Sequence, residues 1–305
     1  MPTDPARTLV FATRPEGPLL LDLYRPRHGA SRLPHPVVVW VHGGGWFTGD
    51  RTLLPDPRPL LRRGIAVASI EYRLSGTALF PAQLHDVRDA IRFLRTGAAD
   101  LSVDPRRIGV WGASAGGHLA VLAGLTGGID ALPGEENTGD SSVLAVADAY
   151  GPATLVPGVV PDGAQWSDRW PPEWRLIGGD PADLPDRARA ASPLSVLSDL
   201  PAGAALPTFQ IAHGTADRLV PDEHSRRLHA ALGARSQLYL VDGYRHGFLN
   251  PPDRPDVPAG MDDGRLARER TAAAAHLTGG TTQTTTFGLD TIADFFAVTL
   301  TGEPA

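Results

Sequence analysis

The 305-residue chain contains no cysteine. Disulfides, thiolate nucleophiles, iron–sulfur clusters and cysteine zinc sites are therefore excluded. It contains no lysine either: all 28 basic side chains are arginine. That removes a Walker-A lysine, a pyridoxal Schiff base, a kinase strand lysine and any lysine general base. No stretch approaches the roughly eighteen consecutive apolar residues of a transmembrane helix. The N-terminal segment lacks a basic region followed by a long apolar one, so it does not read as a signal peptide, and the expected location is cytoplasmic. A basic stripe is also missing, since Arg62-Arg63, Arg106-Arg107 and Arg226-Arg227 are isolated doublets. With 34 acidic residues the formal net charge is −6, which argues against nucleic acid as the main partner.

What remains is chemistry by Ser, Thr, His, Asp, Glu, Tyr or Arg. Apolar residues make up 42% and charged residues 20%, an ordinary globular balance. The length suits one large α/β domain or two small ones, and no inter-domain linker is visible, so residues 1–305 are read as a single domain.

Short aliphatic runs alternate with helical patterns. Thr8–Phe11 and Leu19–Tyr24 read as strands joined by the turn Pro15-Glu16-Gly17-Pro18. Val37–Val41 and Ile65–Ile70 are continuous apolar runs that suit strands buried on both faces. Between them lies a proline-interrupted helix candidate near Leu53–Arg63. Pro81–Leu94 has Leu84, Val87, Ile91 and Leu94 at amphipathic helical spacing. Further strands are expected at Arg107–Trp111, Val143–Ala147, Pro207–Ala212 and Gln237–Val241. Helices are expected at Ala115–Leu125, Pro221–Leu232 and Thr291–Leu300. Such alternation implies a mostly parallel sheet with helices on both faces. Two segments break the rhythm: Val156–Arg175, with Trp166, Trp170 and Trp174, and Thr278–Thr286, read as a surface loop or edge strand.

Gly112-Ala113-Ser114-Ala115-Gly116 fits G-x-S-x-G between a strand candidate and a helix candidate. A serine on such a turn is held in a strained conformation with its hydroxyl exposed, and the flanking glycines avoid Cβ collisions. The helix start adds unpaired N–H groups and a positive dipole end. The alternative is a plain Gly-rich β-to-α turn. A second element, His42-Gly43-Gly44-Gly45-Trp46, follows the strand at Val37–Val41. Consecutive glycines let main-chain N–H groups converge on developing negative charge, as an oxyanion hole requires. A dinucleotide loop is the competing reading, but Thr48 stands where G-x-G-x-x-G needs glycine. His42 itself reads as a structural hydrogen-bonder.

Together, H-G-G-G-W, Glu71-Tyr72-Arg73-Leu74 and G-A-S-A-G-G-H-L-A resemble the α/β-hydrolase superfamily. More narrowly, they resemble carboxylesterases of the hormone-sensitive-lipase-like, feruloyl-esterase-like and kynurenine-formamidase-like group, over about Leu19 to Leu300. Only a short hairpin precedes His42, where hormone-sensitive-lipase-like enzymes usually carry a helical cap. That favours the compact feruloyl-esterase-like group, with any lid built from residues 156–175.

In this fold the chain order is nucleophile, acid, histidine. The resemblance then implies Ser114, Asp217 in His213-Gly214-Thr215-Ala216-Asp217, and His246 in the loop after Gln237–Val241. Asp222 and Glu223 read as helix-dipole partners, Asp242 as too close to the histidine loop, and Asp148 as structural or pocket-lining. His118, His224, His229 and His276 fall in helical patterns. His85 is helical too and has some chance of lining the pocket. The N–H groups of Gly44, Gly45 and Ala115 would hold the oxyanion. Trp46, Trp166 and Trp170 are pocket candidates, although the tryptophan segment could equally be a loop pinned by buried indoles.

The implied activity is ester hydrolysis through an acyl-enzyme, on small to medium substrates, without metal or cofactor. Arylformamidase, feruloyl or acetyl-xylan esterase and peptidase activities would share every triad residue. A non-catalytic ligand-binding α/β-hydrolase is the alternative from another class. Oligomeric state is not legible in the sequence.

Overall fold

A computed structural model describes residues 7–26, 34–160, 170–251, 261–262 and 264–302. Ten strands are found there: β1 (Arg7–Arg14), β2 (Gly17–Tyr24), β3 (His35–Val41), β4 (Ala66–Ile70), β5 (Val103–Ala113), β6 (Ala145–Ala149), β7 (Thr208–Gly214), β8 (Ser236–Val241), β9 (Thr271–Thr278) and β10 (Thr281–Gly288). They form one sheet in the order β1-β2-β4-β3-β5-β6-β7-β8-β9-β10. The six strands from β4 to β8 are mutually parallel. An antiparallel pair closes each edge.

The strand β3 shows why this sheet needs cover on both sides. All seven of its residues are buried. Its side chains alternate, Val37, Val39 and Val41 entering one apolar cluster and Val38 and Trp40 the other.

Among the described residues ten α-helices accompany the sheet: α1 (Arg58–Arg62), α2 (Ala82–Thr96), α3 (Ala98–Leu101), α4 (Ala115–Thr126), α5 (Pro172–Ile177), α6 (Pro185–Ala190), α7 (Pro193–Asp199), α8 (Glu223–Leu232), α9 (Arg265–Glu269) and α10 (Leu289–Thr301). The first cluster lies under α2, α4 and α8, and the second under α10. Helix α4 is apolar all round and every one of its residues is buried, so it is a core element rather than a surface one. Leu119, Leu122 and Leu125 each contribute about 2 kcal/mol of transfer free energy there.

Three elements differ from the sequence pattern or sharpen it. The polar face of α2 is not solvated: Asp86, Arg88, Asp89 and Arg92 are buried. The Gly127–Ser142 connection covers them, with Glu135 accepting from Arg88 Nε at 2.6 Å and Arg92 at 2.8 Å. Burial alone would raise the Glu135 pKa, but the two guanidiniums hold it at about 2. His276 lies in β9, not a helix, and stacks on Tyr239 with ring centroids 4.3 Å apart. The alanine run before it favours a helix locally; pairing with β8 and β10 decides otherwise. Of the two readings of the Thr-rich segment, surface loop or edge strand, the structure shows the edge strand: β10 ends the sheet and pairs with β9.

Candidate active site

The sheet places four loops at the C-terminal ends of β3, β5, β7 and β8, where α/β sheets bind ligands. Ser114 follows β5 with φ 54° and ψ −122°, a region a side chain adopts only under constraint. Its N–H donates to Ala149 O on β6 at 2.8 Å, and its carbonyl accepts from His118 N at 3.0 Å, opening α4. The turn is tight enough to require glycine. A Cβ on Gly116 would lie 2.0 Å from Val41 O and 2.5 Å from His42 O, both backbone atoms.

Two turns laced together carry the other residues. Thr215 N donates to Val241 O at 3.0 Å and Ala216 N to Tyr244 O at 2.9 Å. This brings Asp217, after β7, against His246, after β8. His246 Nδ1 lies 2.7 Å from Asp217 Oδ2, and His246 Nε2 lies 2.8 Å from Ser114 Oγ. The carboxylate can only accept, so Nδ1 carries the ring proton and Nε2 is left to accept the serine hydroxyl. Residues 132 positions apart in the chain thus share one hydrogen bond.

Asp217 is itself fixed at four points. Its Oδ1 accepts the N–H groups of Leu219 at 2.9 Å and Val220 at 3.0 Å. Its Oδ2 also lies 3.2 Å from His213 Nε2. His213 Nε2 also faces Val220 O at 2.8 Å, so both neighbours are acceptors and this nitrogen carries the proton. Its Nδ1 then accepts from Ser225 Oγ at 2.7 Å. Burial by itself would raise the Asp217 pKa. The facing histidines and these donors outweigh it and hold the carboxyl well below the usual range.

The glycine loop after β3 stands opposite. Gly44 has φ 118°, and a Cβ there would meet Thr48 O at 2.2 Å. Its carbonyl accepts from Phe47 N and Thr48 N, which turns the loop back on itself. Among the described residues no acceptor takes the N–H of Gly44, Gly45 or Ala115. All three line one cavity of about 310 Å³ together with Ser114 and His246. Trp46 lines it too, at φ 62°, and its Nε1 donates to His118 Nδ1 at 3.2 Å. His118 Nε2 in turn donates to Ala191 O at 2.6 Å. Burial lowers the His118 pKa to about 4, which keeps Nδ1 an acceptor.

The remaining candidates sort by position. Trp166 lies outside the described residues. Trp170 is 51% exposed, stands edge-on to Trp174 and is not part of the cavity wall; Pro172 and Glu173 of the same segment are. His42 is buried, with Nδ1 2.7 Å from Gly43 O and its ring stacked on Tyr72, a structural role as expected. Asp148 is buried at the end of β6 but does not line the cavity. Its Oδ1 accepts from Gly151 N at 3.0 Å, and its Oδ2 has no partner among the described residues. Burial pushes its pKa up to about 7. Asp222 and Glu223 pair with Arg226 and Arg227, and Asp242 accepts from Thr215. His85 borders a separate cavity of about 210 Å³ with Arg14, Arg73 and Glu136.

The sequence reading missed several members of the wall. Tyr150 sets its ring edge-on to His246 with centroids 4.8 Å apart. Phe47, Glu173, Leu219, Asn250 and Met261 also line the cavity. Tyr150 could have been found from its place just past the β6 strand run; the others follow from no local pattern.

Comparison with known proteins agrees with this geometry. The BD-FAE family model matches residues 21–232. Esterase LipQ of Mycobacterium tuberculosis is 33% identical over 240 residues, covering 75% of this chain and 54% of that protein. The chain spans about half the length of the curated relatives it matches first. Among solved structures, Thermogutta terrifontis esterase 2 phosphoramylated by tabun aligns with TM-score 0.66 and 28% identity, over 88% of this chain and 94% of that one. A truncated carbohydrate esterase from gut microbiota aligns with TM-score 0.64 and 29% identity, over 82% and 93%. The chain belongs to the BD-FAE family and has the α/β-hydrolase fold of its esterase neighbours.

Proposed function

We propose that the protein is a serine carboxylesterase that hydrolyses small to medium esters through an acyl-enzyme. One observation carries the reading. The hydrogen-bonded line Ser114–His246–Asp217 opens on a cavity of about 310 Å³ lined also by Gly44, Gly45 and Ala115, whose backbone N–H groups have no acceptor among the described residues. In this reading Ser114 Oγ attacks the ester carbonyl carbon as His246 Nε2 takes its proton. Asp217 keeps the ring in the required tautomer and stabilises its charged form. The N–H groups of Gly44, Gly45 and Ala115 meet the oxyanion, each donor being worth roughly 10² to 10³ in turnover. The alcohol leaves with the proton from His246, and a water activated by the same nitrogen releases the acid. The neighbour phosphoramylated by tabun supports an accessible nucleophile in this fold.

We further read residues 1–305 as one hydrolase domain, with the described end of the 156–175 insertion contributing to the pocket wall. Pro172 and Glu173 support that placement. Among the described residues no helix is long and apolar enough to cross a membrane. The test is release of p-nitrophenol from a short-chain ester by the wild type and Ser114→Ala. The expected result is loss of all but background turnover in the variant, with unchanged melting temperature. Retention of most activity would overturn the reading.

A further inference from the structure

We propose that Glu173 sets the charge selectivity of the cavity, disfavouring esters that carry a carboxylate and favouring those that carry a cationic group. The inference rests on the esterase reading and names the substrate class within it.

The cavity wall is mostly apolar, built from Trp40, Trp46, Phe47, Leu53, Tyr150 and Leu249 with their neighbours. Among the described residues that line it, Glu173 is the one carboxylate and no arginine is present. Pro172 fixes the position of this side chain. It opens α5, and it packs beside the glycine loop, 3.3 Å from where a Gly45 Cβ would stand. Glu173 therefore follows the residue that packs against Gly45 and lines the cavity that Ser114 and His246 share.

No ion pair among the described residues engages the Glu173 carboxyl group; burial raises its pKa, and its own backbone N–H is the one contact that opposes this. Arg175, two positions on, lies outside the wall: its Nε donates to Trp170 O at 3.0 Å and its guanidinium covers the Phe47 ring at 4.7 Å. Water screens such a charge poorly inside an apolar cavity. A sphere of the cavity's volume, about 310 Å³, would be about as wide as the screening length, ~8 Å at physiological salt. A charge on either arm of a bound ester thus feels Glu173. An anionic arm is repelled, and a cationic arm gains a partner that otherwise lacks one.

The experiment measures kcat/KM for three matched ester sets of equal size: neutral, carboxylate-bearing and ammonium-bearing. One version of each carries the charge on the acyl arm and another on the alcohol arm. Wild type, Glu173→Gln and Glu173→Ala are compared, with Ser114→Ala as blank. Because only ratios to the neutral ester are read, differing amounts of folded enzyme cancel. In both Glu173 variants the anionic-to-neutral ratio should rise at least about tenfold, and the cationic-to-neutral ratio should fall by a similar factor. The arm that responds is the one facing Glu173. Unchanged ratios on both arms overturn the proposal while leaving the esterase reading intact. Absence of wild-type turnover on the neutral esters above the Ser114→Ala blank instead overturns the esterase reading, and the selectivity claim with it.

Discussion

Replacing Asp217 with asparagine changes one atom and removes one charge, and the surrounding bonds dictate how the new amide must lie. Leu219 N–H and Val220 N–H can only donate, so they keep the amide oxygen in the place of Oδ1. The amide nitrogen then replaces Oδ2, which sits 2.7 Å from His246 Nδ1 and 3.2 Å from His213 Nε2. An N–H aimed at His246 Nδ1 strips that nitrogen of its proton and moves the proton to Nε2. That nitrogen lies 2.8 Å from Ser114 Oγ and can no longer accept the serine proton. An error of tautomer at this position costs on the order of 10⁴ in kcat, or ~5.4 kcal/mol of transition-state stabilisation. The same amide also meets His213 Nε2–H, two donors face to face in a buried place, which costs about 1–3 kcal/mol of fold stability. Stopped-flow release of p-nitrophenol, with thermal melting in parallel, separates the two effects. A kcat loss below about tenfold in a folded variant would refute the tautomer argument and the role of Asp217.

Two further substitutions probe the frame and the buried charge. Gly116→Ala places a Cβ against two backbone oxygens, 2.0 and 2.5 Å away, that belong to the central strand and its loop. It should cost at least about 3 kcal/mol and show as a lowered melting temperature or insoluble protein; a wild-type melt would contradict the close approach. Asp148 has a folded pKa near 7 against about 3.9 unfolded. The native state therefore binds more protons across that interval, and stability falls as pH rises through it. Asp148→Asn should flatten this decline in melting curves between pH 4 and 7 (a window of roughly the two pKa values), and parallel pH profiles for variant and wild type would speak against it.

Much of the site was legible because its pieces are local. The serine turn needs glycine two residues away, since Gly116 passes within contact distance of the Val41 carbonyl. The glycine loop needs the positive φ that Gly44 adopts. Both demands act within a few residues and leave a mark in the sequence. The central strands were legible for a similar reason: β3, buried on both faces, is apolar at every position after its first residue, His35. The tail was harder. Ala272–Ala275 and His276 carry no strand signal of their own, and only pairing with β8 and β10 makes them β9.

The sequence by itself therefore determined the class of fold, the excluded chemistries and the turns that present Ser114, Gly44 and Gly45. It did so because hydrophobic period, glycine sterics and missing side chains are properties of neighbouring residues. Tertiary structure alone decided the partnerships. Parallel strands β5, β7 and β8 bring Ser114, Asp217 and His246 to one end of the sheet. Folding also leaves Asp148 buried with an unpartnered oxygen, covers the charges of α2 and turns Glu173, rather than Trp170, toward the cavity. These outcomes depend on which distant groups come to share a small dry volume, where a single unmatched donor or charge counts for far more than it does in water.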